Sequence, residues 1–369
     1  MHKKLYKFMI ILICTVMAIN IAGCKGTESS KGQEQSSFDV KVAENLIDNY
    51  MLFLMKGEKE SAMKFYTEEL AKASAKNPPD ELMIRGYNVE EINEVGTSGI
   101  FKIKVTRSSP RLSYSELDEY TVKVTGEGET YKITEASNIP QREAYMENGS
   151  LRIRSKNNVK TNLLIDKGGI PGYSFSKDDK ANISKLIVPK EGFGPISFSF
   201  SGENVAVSTK GKDSFAALVK IDESMAVQGQ EDSQGGQKGG GGAGGGQPGE
   251  SNKNAREIPI GKEITSLDLL RDAKIDFMTF SPNEKLVLIQ YTKNTGGTCI
   301  RVYKGDSGDL IPYKFEDNFP VDKVDITFSS FNKETLNFEV IPKSQKEAGV
   351  RDVSGKWQMD TKEFKVKKM

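Results

Sequence analysis

Three stretches in the second half of the chain repeat one pattern that suits strands and leaves no room for long helices. They cover residues 196–207, 275–288 and 324–338. Each alternates apolar and polar residues and reaches a Phe-Ser pair (Phe200-Ser201, Phe280-Ser281, Phe328-Ser329). Each then passes a polar turn and resumes as a second strand. Alternation at period two lines one face of a strand with apolar side chains, whereas a helix needs spacings of three and four. Phe280 and Phe328 stand 48 residues apart, a spacing that suits a repeated multi-strand unit. Phe200 and Phe280 stand 80 apart, with a low-complexity insert between them. Tyr173-Ser174-Phe175-Ser176-Lys177-Asp178-Asp179 is a shorter echo.

The first half reads differently. From Ser36 to Ala73 the apolar positions follow helical spacing: Val40, Ala43, Ile47, Tyr50, Met51 and Leu54, then Ala62, Met63, Phe65, Tyr66 and Leu70. Ser36 or Ser37 is placed to cap the first helix, Gly57 marks its stop, and Asn77-Pro78-Pro79 closes the second. Strand signals follow around residues 87–95 and at 100–106, 120–124 and 131–134, the last two flanking a Gly126–Glu129 turn. Two helices packed on an antiparallel sheet form an α+β domain. Its element order resembles the NTF2-like cone fold over about residues 38–140. The later repeats resemble the strand–turn–strand unit of TolB-type and WD40-type propeller blades. The expected architecture is therefore an α+β domain over 38–148, followed by an all-β domain over 149–369, either propeller-like or a β-sandwich. A Gly-rich insert at 227–254 interrupts the second domain. It lacks the Gly-Lys-Ser/Thr of a phosphate loop and reads as a linker.

The N-terminus carries an address. Lys3, Lys4 and Lys7 precede an apolar run from Phe8 to Ile19, and small residues close it. These are the three parts of an export signal. The run is shorter than the roughly 18–20 residues that span a bilayer comfortably. Ile21-Ala22-Gly23-Cys24 resembles the lipobox of bacterial lipoproteins. That resemblance implies cleavage between Gly23 and Cys24, lipidation of Cys24, and a chain held by acyl groups such as palmitate on the extracytoplasmic face of the cell membrane. Residues 24–37 contain no large apolar side chain and read as a flexible tether.

Composition then narrows the chemistry. Without residues 1–23 the chain has 49 basic and 51 acidic side chains, a net charge of −2, which gives no footprint for nucleic acid. The sole histidine, His2, lies in the leader, so histidine-based triads, proton shuttles and the usual zinc sites are absent from the processed chain. Cys299 sits in an alternating stretch and reads as a small core residue. Gly305-Asp306-Ser307-Gly308-Asp309 is similar to the Gly-Asp-Ser-Gly-Gly of chymotrypsin-like proteases, but it has no histidine partner and reads as a turn. Asp178-Asp179, Glu316-Asp317 and Asp322/Asp325 read as solvated turns rather than calcium ligands or a glycosidase pair. Tyr50, Phe53, Phe65, Tyr66, Tyr87, Phe101, Tyr120 and Tyr131 are expected in the first core, some of them facing a pocket, and Trp357 in the second. No catalytic residue, cofactor or metal is expected. The chain reads as a non-enzymatic binding or assembly protein whose partners are the membrane and an envelope protein or polymer. A small-molecule binder is the alternative, and a carboxylate hydrolase a remote one.

Overall fold

The first sheet grows out of turn chemistry. Residues 83–165 form six antiparallel strands in sequence order: β1 (Met83–Val95), β2 (Ser98–Ser108), β3 (Tyr114–Glu127), β4 (Thr130–Glu147), β5 (Ser150–Ser155) and β6 (Asn162–Ile165). Asn148 and Gly149 both take positive φ, 49° and 79°, between β4 and β5. That is the two-residue hairpin whose twist matches the flanking strands. The computed structural model describes residues 38–75, 81–128, 130–156, 158, 160–179, 181, 183–225, 257–344 and 350–369. The leader with Cys24, the tether at 24–37 and the insert at 227–254 lie outside them.

Three further antiparallel sheets follow. The second has the order β12-β11-β10-β9, built from β9 (Gly192–Phe198), β10 (Asn204–Lys210), β11 (Ser214–Ile221) and β12 (Gly261–Leu270). The third contains β13 (Ala273–Phe280), β14 (Leu286–Lys293) and β15 (Thr298–Lys304). The fourth contains β16 (Val324–Phe331), β17 (Thr335–Pro342), β18 (Gly355–Asp360) and β19 (Val366–Lys368). Each of the three repeated stretches is the opening hairpin of one of these sheets, β9–β10, β13–β14 or β16–β17. The echo at Tyr173 starts a two-stranded ribbon of β7 (Tyr173–Ser174) and β8 (Leu186–Ile187). Successive meanders of this kind are propeller-like.

Helices are sparse: α1 (Val40–Met55), α2 (Lys59–Met63), α3 (Glu68–Ser74), and the four-residue α4 (Phe315–Asn318) and α5 (Val350–Val353). Asp39 caps α1, its carboxylate accepting from the backbone N–H groups of Lys41 and Val42, in place of the serines expected there. The helix buries Ala43, Ile47, Tyr50 and Met51, the face its spacing predicts.

The expected N-terminal α+β domain is not what forms. The chain is predominantly β, and the first sheet does not close on the helices alone. Its Leu117, Ala144, Leu151, Ile153 and Leu164 share a core with Phe193, Phe198, Val205 and Phe215 of the second sheet. Burying both ends of such long strands takes more apolar surface than three short helices offer, so the downstream sheet supplies the rest. Phe38–Met369 is one compact unit, and an NTF2-like domain is not present.

The sheets also meet through polar contacts. Ser113 donates to the Phe193 carbonyl at 2.8 Å, and Thr279 on β13 donates to the Arg85 carbonyl on β1 at 2.9 Å. At this crossing β1 carries Gly86. A Cβ there would lie 2.9 Å from Thr279 Oγ1 and 3.1 Å from Phe200 Cζ. Gly86→Ala should therefore lower unfolding free energy in urea by about 1–3 kcal/mol, the usual range for overpacking.

Candidate functional site

Arginines are rarely buried without partners. Three are deeply buried among the described residues: Arg85, Arg107 and Arg301. Their surroundings differ, and the difference locates the candidate site.

Arg301 lies on β15 with its side chain 5% exposed. Its Nη1 donates to Asp268 of β12 at 2.8 Å, its Nη2 grips both oxygens of Asp178 at 2.9 and 3.0 Å, and its Nε donates to Glu316 of α4 at 2.8 Å. Tyr303 donates to Asp268 at 2.7 Å, Tyr291 donates to Glu316, and Lys314 donates to Asp178 at 2.6 Å. Burial pulls the Arg301 pKa down, but Tyr303, Tyr291, Glu316 and Asp268 overcome it and the net shift is upward. Burial pushes the Asp178 carboxyl up, but bonds and charge from Lys314 and Arg301 leave it below its ordinary value. A general acid needs a raised pKa. Asp178 is held ionised, which suits a structural clamp between strand and loop rather than acid catalysis.

Arg107 is tied in the same manner, with Nη2 on Glu116 and, at 2.9 Å, on Asp118. Arg85 is not. Its Nε donates to Ser108 Oγ at 3.0 Å and its guanidinium lies 4.4 Å from the centre of the Phe277 ring. Among the described residues it makes no ion pair. Burial brings its pKa down to about 10 against the pull of Asp276, so it remains charged at neutral pH.

Arg85 faces a cavity of about 530 Å³ bounded by Pro110, Arg111 and Leu112 of the first sheet's β2–β3 loop, Pro195 and Lys210 of the second sheet, and Lys274, Ile275, Asp276, Phe277 and Gln290 of the third. Three β-bulges converge on it. Arg85 is the extra residue between the Ile84 and Gly86 pairings, and Asp276 the extra residue between those of Ile275 and Phe277. The third bulge puts Gly194 and Pro195 opposite Ser208. A bulge breaks the ladder locally and re-aims a side chain. Burial raises the Asp276 carboxyl, although Thr292, which donates to it at 2.9 Å, and Gln290 act in the opposite direction.

The residues singled out from sequence are distributed elsewhere. Cys299 is buried, with burial pushing its thiol up to about 12, so it is a poor nucleophile. Ser307 bonds to Asp309 at 2.9 Å within a turn. Asp178 and Glu316 were expected in separate solvated turns; Arg301 brings them together, and Glu316 is only 8% exposed. Asp325 accepts from the Thr298 N–H at 2.7 Å, joining the third and fourth sheets. Tyr50 and Tyr66 bond to one another at 2.7 Å and Tyr87 donates to Asp48 at 2.8 Å within the helix-side core. Trp357 packs on Phe319 and Phe338 and donates to the Val353 carbonyl. Arg85, Asp268 and Arg301 were missed. The signal for Arg301 was a charge inside the otherwise apolar run Cys299–Tyr303; for Arg85 it was a charge beside a glycine.

No family model matches the chain, and no curated protein does. Similar solved structures include TolB from Acinetobacter baumannii, at 9% identity, with 82% of this chain and 60% of that one covered and a TM-score of 0.28. A prolyl endopeptidase shares 12% identity, with 90% and 41% covered and a TM-score of 0.28. A puromycin-hydrolyzing peptidase from Mycobacterium tuberculosis shares 8%, with 78% and 53% covered and a TM-score of 0.20. The chain thus spans 60% of TolB and 41% of the endopeptidase. Overlaps this loose carry no argument about function, and the propeller-like description rests on the strand order itself.

Two variants test the clamp. Arg301→Met strands Asp268 and Glu316 without their cation and should cost about 3–5 kcal/mol in urea unfolding. Asp178 has a lowered pKa, so its contribution is present above its ordinary value of 3.8 and fades as pH falls below it. Asp178→Asn should therefore melt below the native protein at neutral pH, and the two melting curves should converge in acid.

Proposed function

We propose that this chain is an extracytoplasmic lipoprotein, anchored to the cell membrane through Cys24, that acts in the cell envelope by binding rather than by catalysis. The structural observation that carries the binding part is the cavity of about 530 Å³ set between three sheets. Its size is that of a small-molecule site, and its walls belong to packed strands rather than to loops alone. The membrane part rests on the leader and on Ile21-Ala22-Gly23-Cys24. A non-enzymatic role is supported by a processed chain without histidine, by the raised thiol of Cys299 and by carboxylates committed to Arg301.

A second reading, docking on an envelope protein, is favoured by the β7–β8 ribbon. There Tyr173, Ile183 and Ile187 are 55%, 80% and 73% exposed, a concentration of apolar surface unusual for one short hairpin.

Labelling intact cells with a palmitate analogue tests the anchor. The native chain should carry the label and sediment with membranes, and Cys24→Ala should lose both properties. A cleaved, unlabelled Cys24→Ala chain that still sediments with membranes would overturn it. Crosslinking in the same cells, followed by mass spectrometry, separates the two binding readings: a stoichiometric protein partner lost on Ile187→Asp supports docking through the ribbon.

A further inference from the structure

Three buried arginines give this molecule an internal comparison. Arg301 has three carboxylates and Arg107 has two. Arg85, 9% exposed, has none within 4.0 Å among the described residues. A buried cation without a paired anion is costly, and proteins keep such groups where a ligand supplies the missing charge. The cavity around Arg85 repeats the imbalance. Arg111, Lys210 and Lys274 also line it, and none of them forms an ion pair among the described residues. Asp276 is its single carboxylate, so four cations face one anion, an excess of three positive charges.

The geometry shows where an anion would sit. Ser108 fixes the Arg85 Nε and the Phe277 ring covers one face of the guanidinium, which leaves the Nη edge as the side able to grip an oxyanion. Pro110, Leu112, Pro195 and Ile275 add apolar wall beside that charge. A site of this kind suits a charged head on a small apolar body. An excess of three charges suits a phosphate, which carries up to two negative charges at neutral pH, better than a single carboxylate.

We propose that this cavity binds a small phosphorylated organic molecule, with the phosphate on Arg85 and within reach of Arg111, Lys210 and Lys274, and the organic body against the proline, leucine and isoleucine wall. The assignment rests on the binding role proposed above and names the ligand class for it. Arg85 is the specificity residue. The bulges that carry Arg85, Asp276 and Pro195 make the site one that closes only when all three sheets are in place. A bound phosphoester would join them.

Phenyl phosphate is the probe, titrated by calorimetry into the full chain in detergent, with benzyl alcohol, benzoate and inorganic phosphate as controls. Phenyl phosphate should bind; the uncharged alcohol should not, and benzoate and inorganic phosphate should bind at least about tenfold more weakly. Arg85→Met should weaken phenyl phosphate at least about tenfold, the scale of a lost charge-assisted bond. Lys274→Gln, at the exposed mouth, should weaken it by a smaller factor and steepen no part of the melting curve. Arg85→Met should also melt close to the native protein, because it removes an unpaired charge and keeps the apolar stem; a loss as large as that of Arg301→Met would make Arg85 a structural residue and overturn the proposal. Equal affinity of native and Arg85→Met protein for phenyl phosphate, or none in the native protein, would also overturn it. Vesicles containing phosphatidic acid, a lipid phosphomonoester, distinguish the phosphate's source: Arg85-dependent binding of a Cys24→Ala chain points to a lipid headgroup, and its absence beside phenyl phosphate binding points to a soluble phosphoester. Failure here is separable from failure of the binding role. A partner captured by crosslinking with no phenyl phosphate bound would leave that role standing without this ligand class.

Discussion

The guanidinium of Arg301 holds together parts of the chain that lie far apart in sequence. Asp178 precedes it by 123 residues and Asp268 by 33, while Glu316 follows it by 15. The three acids reach it from the loop after β7, from the edge strand of the second sheet and from a one-turn helix. Hydrophobic burial is non-directional and brings such segments to the same neighbourhood without fixing their register. A planar cation with five donors fixes direction as well, since each carboxylate must meet a particular edge of it. Its Nη1 serves Asp268, its Nη2 serves Asp178 and, with Nε, Glu316, and Tyr303 and Tyr291 reach two of those acids from the same third sheet. The registration of the second sheet against the third rests on this contact, and the cavity around Arg85 lies between the same two sheets and the first.

Much of the fold was legible. Alternation marks β2 from Ile100 to Val105, with Phe101, Ile103 and Val105 buried and Ile100, Lys102 and Lys104 half-exposed, and the three Phe-Ser stretches each open a sheet. Helical spacing marked Ala43, Ile47, Tyr50 and Met51 on the buried face of α1, missed Leu46 beside them, and included Val40 and Leu54, which are only half-buried. The division into an α+β domain and a β domain was not legible correctly, because a periodic pattern says which face of a strand is buried but not by what. The expected boundary after residue 148 cuts through the first sheet: Leu117 and Ala144 stand before it and Ile153 after it, yet all three share a core with Phe193, Phe198 and Phe215, up to about a hundred residues downstream. Long-range pairing of that kind leaves no trace in a local window.

The candidate site was the least legible part. Charged residues in turns were read as solvated, which is the usual case. Asp178 and Glu316 depart from it only because a cation on β15 reaches both. Arg85 was hidden for a different reason: it belongs to neither period of its strand. Ile84 pairs with Arg107 and Gly86 with Thr106, so Arg85 falls in the gap. Bulge positions interrupt the very alternation by which a strand is recognised.

That gap has a consequence for how the site is encoded. The direction of the Arg85 side chain is set by a count, one residue more on β1 than on the facing stretch of β2, and the same holds for Asp276 on β13 against β14. Deleting either residue's neighbour would restore a regular ladder and swing the next side chains to the opposite face. The strands would then be better formed while their charges pointed away from one another. For this protein the length of each strand is therefore as much a part of the site as the residues in it.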